Sequence, residues 1–108
     1  MTSAAGPTYI AAALALYLDL PDTPRRASPH DKQVARRLFD QGVPLKVVES
    51  ALLLGTLRRR VRPEGALPLP PVRSLAYFLP VVAEIQNQPL AASYADYLRH
   101  KAQALRSA

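Results

Sequence analysis

Residues 44–60 read PLKVVESALLLGTLRRR, and the placement of this stretch decides the rest of the chain. With residues set about 100° apart around a helix axis, Leu45, Val48, Ala51, Leu52 and Gly55 gather on one side, and Val47, Leu54 and Val61 lie beside them. Lys46, Ser50, Thr56 and Arg60 share the narrower opposite side with Glu49. A helix apolar over more than half its circumference is normally surrounded by other elements. The stretch therefore reads as the central helix of an all-α bundle, with Pro44 at its first position.

Upstream, Ser28, Pro29 and Asp31 supply an N-cap hydroxyl, a first-turn proline and an acid at the third helical position. They predict a helix that buries Val34, Leu38 and Phe39 and ends at Gly42. Before it, Ile10, Leu14 and Tyr17 recur at helical spacing with Ala13 and Leu18 widening the stripe, so a first helix is expected from Thr8 to Leu20, stopped by the PDTP turn at 21–24. No positive charge precedes its apolar run, and Asp19 closes that run too early for a bilayer span. It reads as an ordinary helix of a soluble, cytoplasmic protein with no membrane partner.

Downstream, residues 63–72 (PEGALPLPPV) contain four prolines and a glycine, which predicts an extended, partly polyproline crossover packed on the bundle through Leu67 and Leu69. A fourth helix is expected from about Ser74 through LAYFLPVVAEIQ, kinked or broken at Pro80. After NQP at 87–89, a fifth keeps its period through Leu90, Tyr94, Tyr97 or Leu98, and Leu105. No segment alternates strictly enough for a strand, and there is no solenoid repeat. The expectation is one domain over 1–108: a compact bundle of about five helices with the crossover between helices three and four.

The 108 residues carry a formal charge of +6, with eleven arginines against three lysines. Such a surface attracts polyanions over a range set by salt. The absence of cysteine excludes disulfides, thiolate zinc sites and cysteine nucleophiles. His30 and His100 lie far apart with no metal-ligand spacing around them, and the eight acids are scattered singly. The four glycines are too few for a phosphate-cradling loop of either common type. The chain is expected to be neither an enzyme nor the holder of a cofactor or metal.

That leaves the arginines. Arg58 and Arg62 share a face, Arg60 points elsewhere, and Arg59 falls towards the apolar side. Cations are favoured near a helix C-terminus by about 0.3–1 kcal/mol each, which explains one or two of them but not four within five residues. Guanidinium clusters suit phosphate contacts, which give affinity without reading sequence. Arg36, Arg37 and Arg73, with Arg25 and Arg26, would extend such a patch. The expected nucleic-acid-binding set is Arg36, Arg37, Arg58, Arg59, Arg60, Arg62 and Arg73.

Two further readings bear on the same surface. The string LFDQGVPLKVVESALLLG at 38–55 has the glycine turn and following aliphatic residue, Val48, of a helix-turn-helix unit. The apolar circumference of the second helix makes it poor for reading base edges. Tyr77 and Phe78 follow Arg73 by about one helical turn, where base stacking and core packing are the alternatives; at helical spacing the pair reads as core.

From Asp31 to Ile85 the order of features resembles the DnaD-like helical domain of replication-initiation proteins. The matching parts are FDQG (39–42), PLKVVESALLLG (44–55) and SLAYFLPVVAEI (74–85), with Tyr77, Val81 and Ile85 at the three positions of that family's YxxxIxxxW motif. The final tryptophan has no counterpart, and the proline-rich insertion and Pro80 depart from the pattern. The resemblance implies a DNA-associated role in replication or mobile-element maintenance. A helical interaction or dimerisation module, with alanine-rich helix one as the contact, is the alternative.

Overall fold

A computed structural model describes residues 5–107, without the side chains of 102 and 105–107, so the place expected for Leu105 in the core lies outside the described residues. Five α-helices follow one another: α1 (Ala5–Leu18), α2 (Pro29–Asp40), α3 (Leu45–Arg60), α4 (Leu79–Asn87) and α5 (Ala92–Ser107), with a 3-10 turn at Leu75–Phe78 leading into α4. No strand occurs among the described residues. The bundle is all-α.

α3 is its centre and packs against α1, α4, α5 and the 3-10 turn; α2 packs against α1 and that turn. Every residue from Ser50 to Thr56 is buried. Ser50 and Thr56 were expected on a polar face, yet they are only 8% and 7% exposed, because α4 and α5 cover a side of α3 that the sequence leaves weakly polar. The same α5 contact ties Arg99 to Glu49, with Nε donating to Oε1 at 3.0 Å.

The start of α2 is built as its sequence dictates. Ser28 caps the helix, its hydroxyl accepting from the Asp31 N–H at 3.1 Å while the Asp31 carboxylate accepts from the Ser28 N–H at 2.9 Å. Asp31 does more than cap: it is fully buried, and its second oxygen accepts from the Leu75 N–H at 2.9 Å. One carboxylate thus joins the N-terminus of α2 to the start of the 3-10 turn.

Several boundaries move for identifiable reasons. α1 is helical from the first described residue, Ala5, and ends at Leu18, where the chain tightens through a Leu20 N–H to Tyr17 carbonyl bond at 3.2 Å. Pro44 is the N-cap of α3 rather than its first residue. Pro80 does not kink a helix; it sits in the first turn of α4, and the preceding turn is 3-10, capped by the Ser74 hydroxyl. Leu67 and Leu69 do not pack down, being 81% and 40% exposed, and Val61, assigned beside the apolar face of α3, is 73% exposed. The prolines around the two leucines hold the crossover extended, away from the core.

The core joins Tyr17 and Phe78 edge to face at 6.3 Å, among Val34, Leu38, Leu52, Leu75, Val82, Ile85 and Leu98. In helix five Leu98 turns inward, while Tyr94 and Tyr97 stack on each other at the surface. The Tyr17 hydroxyl is buried with no hydrogen-bond partner among the described residues. Burial, helped by the nearby Asp31 charge, pushes its ionisation up to about 12. Because the folded phenol binds its proton more tightly than the unfolded one, the group's contribution is complete below about 10 and declines as pH rises towards 12. Tyr17→Phe should therefore raise stability by about 1 kcal/mol in chemical denaturation and flatten that alkaline decline, since it removes an unpaired polar atom and little volume. A loss of more than about 1 kcal/mol would contradict this account.

Candidate functional site

The last turn of α3 carries Arg58, Arg59 and Arg60, followed by Val61 and Arg62 where the crossover begins. Their guanidiniums meet different partners. Arg58 forks onto Glu84 of α4, with Nη1 donating to Oε2 at 2.8 Å and Nη2 to Oε1. The hydrogen bond from Arg58 holds the Glu84 carboxyl below the usual carboxylate range, and Glu84 in turn raises Arg58. Both side chains are about half exposed, so the pair fixes α3 to α4 more than it stabilises the fold.

Arg59 turns the other way. Its Nη2 donates to the Pro70 carbonyl at 2.7 Å, its Nη1 reaches the Tyr77 hydroxyl at 3.3 Å, and its guanidinium lies 5.3 Å from the Tyr77 ring centroid. Arg62 donates to the Leu67 carbonyl. Proline-rich segments lack a regular backbone ladder, so their carbonyls are open acceptors; that is the signal in the sequence from which these anchors could have been expected. Nothing in the spacing pointed to Glu84.

Two residues beyond Pro70, the Val72 N–H donates to the Asp22 carbonyl at 2.9 Å. Two residues span at most about 7 Å of chain. The crossover therefore leads from the Arg59 guanidinium to the α1–α2 turn, bringing exposed Arg73 beside the segment that carries exposed Arg25 and Arg26. Arg60 is exposed too, and no hydrogen bond or ion pair engages Arg25, Arg26, Arg60 or Arg73 among the described residues.

Arg36 and Arg37 are placed differently. They point out from α2 along its groove with α1, Arg36 pairing with Asp40 at 3.2 Å and Arg37 unpaired among the described residues. Among the described residues no hydrogen bond or ion pair links them to the crossover. The expected set thus divides into Arg58, Arg59, Arg60, Arg62 and Arg73 around the crossover, and Arg36 and Arg37 along the α1–α2 groove.

The other readings resolve on burial. Only Lys46, Arg58 and Arg60 of α3 are exposed, so this helix lies enclosed in the bundle and presents no face to a groove of DNA. Of the aromatic pair, Phe78 is core at 1% exposure, whereas Tyr77 is surface at 46%. His30 and His100 are exposed, and no cluster of potential metal ligands exists among the described residues. No helix is long and apolar enough to cross a membrane among those residues.

Comparison of the chain with protein-family models, curated proteins and solved structures finds no match to any of them.

Proposed function

We propose that the chain is a small, non-enzymatic, DNA-associated helical domain that holds nucleic-acid phosphates on its basic end. The carrying observation is a charge imbalance. Segments 22–26 and 59–73, joined by the Val72–Asp22 bond, hold Arg25, Arg26, Arg59, Arg60, Arg62 and Arg73 against only Asp22 and Glu64. Arg59 and Arg62 bond to neutral carbonyls rather than to acids, whereas Arg58 is paired with Glu84. The phosphate-binding set accordingly centres on Arg25, Arg26, Arg60 and Arg73, with Arg59 and Arg62 as fixed neighbours. The DnaD-like order of helices supports a place in replication or mobile-element maintenance.

Labelled duplex and single-stranded DNA titrated at 50 and 200 mM salt would test this. Displacing counterions from about three phosphates gives a logarithmic salt slope of about −2.7, a loss of about 40-fold between those salts. Changing Arg25, Arg26, Arg60 and Arg73 to alanine should reduce that slope towards zero, whereas Arg58→Ala should leave it almost unchanged. Absence of binding at 50 mM would sink the proposal.

The second reading, a protein-interaction module, rests on α1. This helix has no charged residue, leaves Pro7, Ala11 and Ala15 exposed, and only half covers Ile10, Leu14 and Leu16.

A further inference from the structure

The groove between α1 and α2 is shallow and open, with two unlike walls and a volume of about 790 Å³. On the α1 side, Pro7, Ile10, Ala11 and Leu14 recur at positions i, i+3, i+4 and i+7 and so form one continuous apolar stripe. Ala11 leaves its middle open, because nothing beyond Cβ stands there. On the α2 side rise Lys32 and Arg37, both exposed and without an ion-pair partner among the described residues. α1 offers no acid to neutralise them, and the one carboxylate on the outer face of α2, Asp40, is held by Arg36.

We propose that this groove docks an acidic amphipathic helix of a partner protein. The stripe runs for about two helical turns parallel to α1, the shape that a helix laid in a groove fills with its own i, i+3, i+4 anchors. Its aliphatic residues would pack on Ile10 and Leu14 while its flanking glutamates or aspartates lie over Lys32 and Arg37. A nucleic-acid strand fits less well, since its phosphates would be stripped of water against the aliphatic wall without hydrogen-bond partners there. A strand-like peptide finds no sheet edge to extend among the described residues. The net charge of +6 favours encounter with an acidic partner over a basic one. The groove uses Lys32 and Arg37 and none of Arg25, Arg26, Arg60 and Arg73, so different substitutions test the two proposals.

The probe is a synthetic amphipathic peptide of about 18 residues, long enough to form a helix on binding, with leucines at i, i+3, i+4 and i+7 and glutamates on both flanks. A twin carries lysines in place of the glutamates. Titrated into the isotopically labelled full chain, the glutamate peptide should shift the amides of Ile10, Ala11, Lys32, Gln33 and Arg37. Lys32→Glu with Arg37→Glu should weaken the glutamate peptide at least tenfold and tighten the lysine twin by a similar factor, while the thermal melt confirms an intact fold. Ala11→Glu, which fills the groove with charge at an exposed position, should remove binding of the glutamate peptide without altering DNA affinity. Failure of the glutamate peptide to bind, equal binding of the twins, shifts mapping outside the groove, self-association of the chain through these residues, or DNA shifting the same amides would each overturn the proposal.

Discussion

Replacing Gly55 by alanine is expected to lower the melting temperature by about 10 °C, the equivalent of about 2 kcal/mol in a domain of this size. Helix propensity alone predicts the opposite, a gain of about 1 kcal/mol from removing a mid-helix glycine. Packing decides the sign. A Cβ at this position would stand 2.7 Å from Cδ1 and 2.8 Å from Cε1 of Phe78, closer than real contacts allow. Phe78 has nowhere to go: it is 1% exposed, and its ring also meets Tyr17 and Tyr77 edge-on. Overpacking of this kind costs about 1–3 kcal/mol, and with Phe78 immobile the cost lies at the upper end, about 3 kcal/mol, which leaves a net loss of about 2 kcal/mol after the propensity gain. Shrinking the neighbour tests the cause, since Phe78→Leu should be less damaging in the Gly55→Ala background than in the native one. A melting temperature that rises on Gly55→Ala would show that the contact between α3 and the 3-10 turn is looser than this geometry.

Asp31→Ala should cost about 3 kcal/mol in denaturant unfolding. The change removes an N-cap partner, worth about 1 kcal/mol, and leaves the buried Leu75 N–H without an acceptor, worth about 1–3 kcal/mol more. The effect also carries a pH signature. Burial opposes ionisation of this carboxyl, but the N–H groups of Ser28 and Leu75, the Ser28 hydroxyl and the His30 charge outweigh it and hold Asp31 below its ordinary value of 3.8. A carboxyl depressed in the folded state stabilises above its unfolded value, and that stability is lost as pH falls through the folded one. The native protein should therefore lose stability below about pH 4, and Asp31→Asn should lose less over the same interval. If native protein and Asp31→Asn showed identical acid profiles, the Asp31–Leu75 bond would not be a principal link between α2 and the 3-10 turn.

The helical architecture was legible because its signals are local. Ser28, Pro29 and Asp31 start α2 in the sequence as in the structure, and the apolar circumference of residues 45–55 correctly marks α3 as the buried centre. What escaped the sequence depends on distant partners. Ser50 and Thr56 are polar by type, and only the arrival of α4 and α5 buries them. Leu67 and Leu69 are apolar by type, but the prolines around them leave them at the surface. The arginine run was visible as a run; its division among Glu84, Pro70 and Leu67 required knowing where the chain returns after residue 62. Hydrophobic periodicity says which way a residue faces on its own helix and nothing about what comes to meet it.

The crossover has a consequence for the unfolded chain. From Val61 to Pro71 every residue is exposed, so beyond the hydrogen bonds that Arg59 and Arg62 give to the Pro70 and Leu67 carbonyls, little packing holds this segment in one path. Its four prolines act instead on the other side of the equilibrium: each restricts φ before folding begins, so less freedom remains to be lost when the ends of α3 and the 3-10 turn come together. The segment can thus be ordered without being packed. Its leucines are open to replacement by polar residues at little loss, whereas replacing its prolines would weaken the fold through disorder gained in a state where none of the native contacts exist.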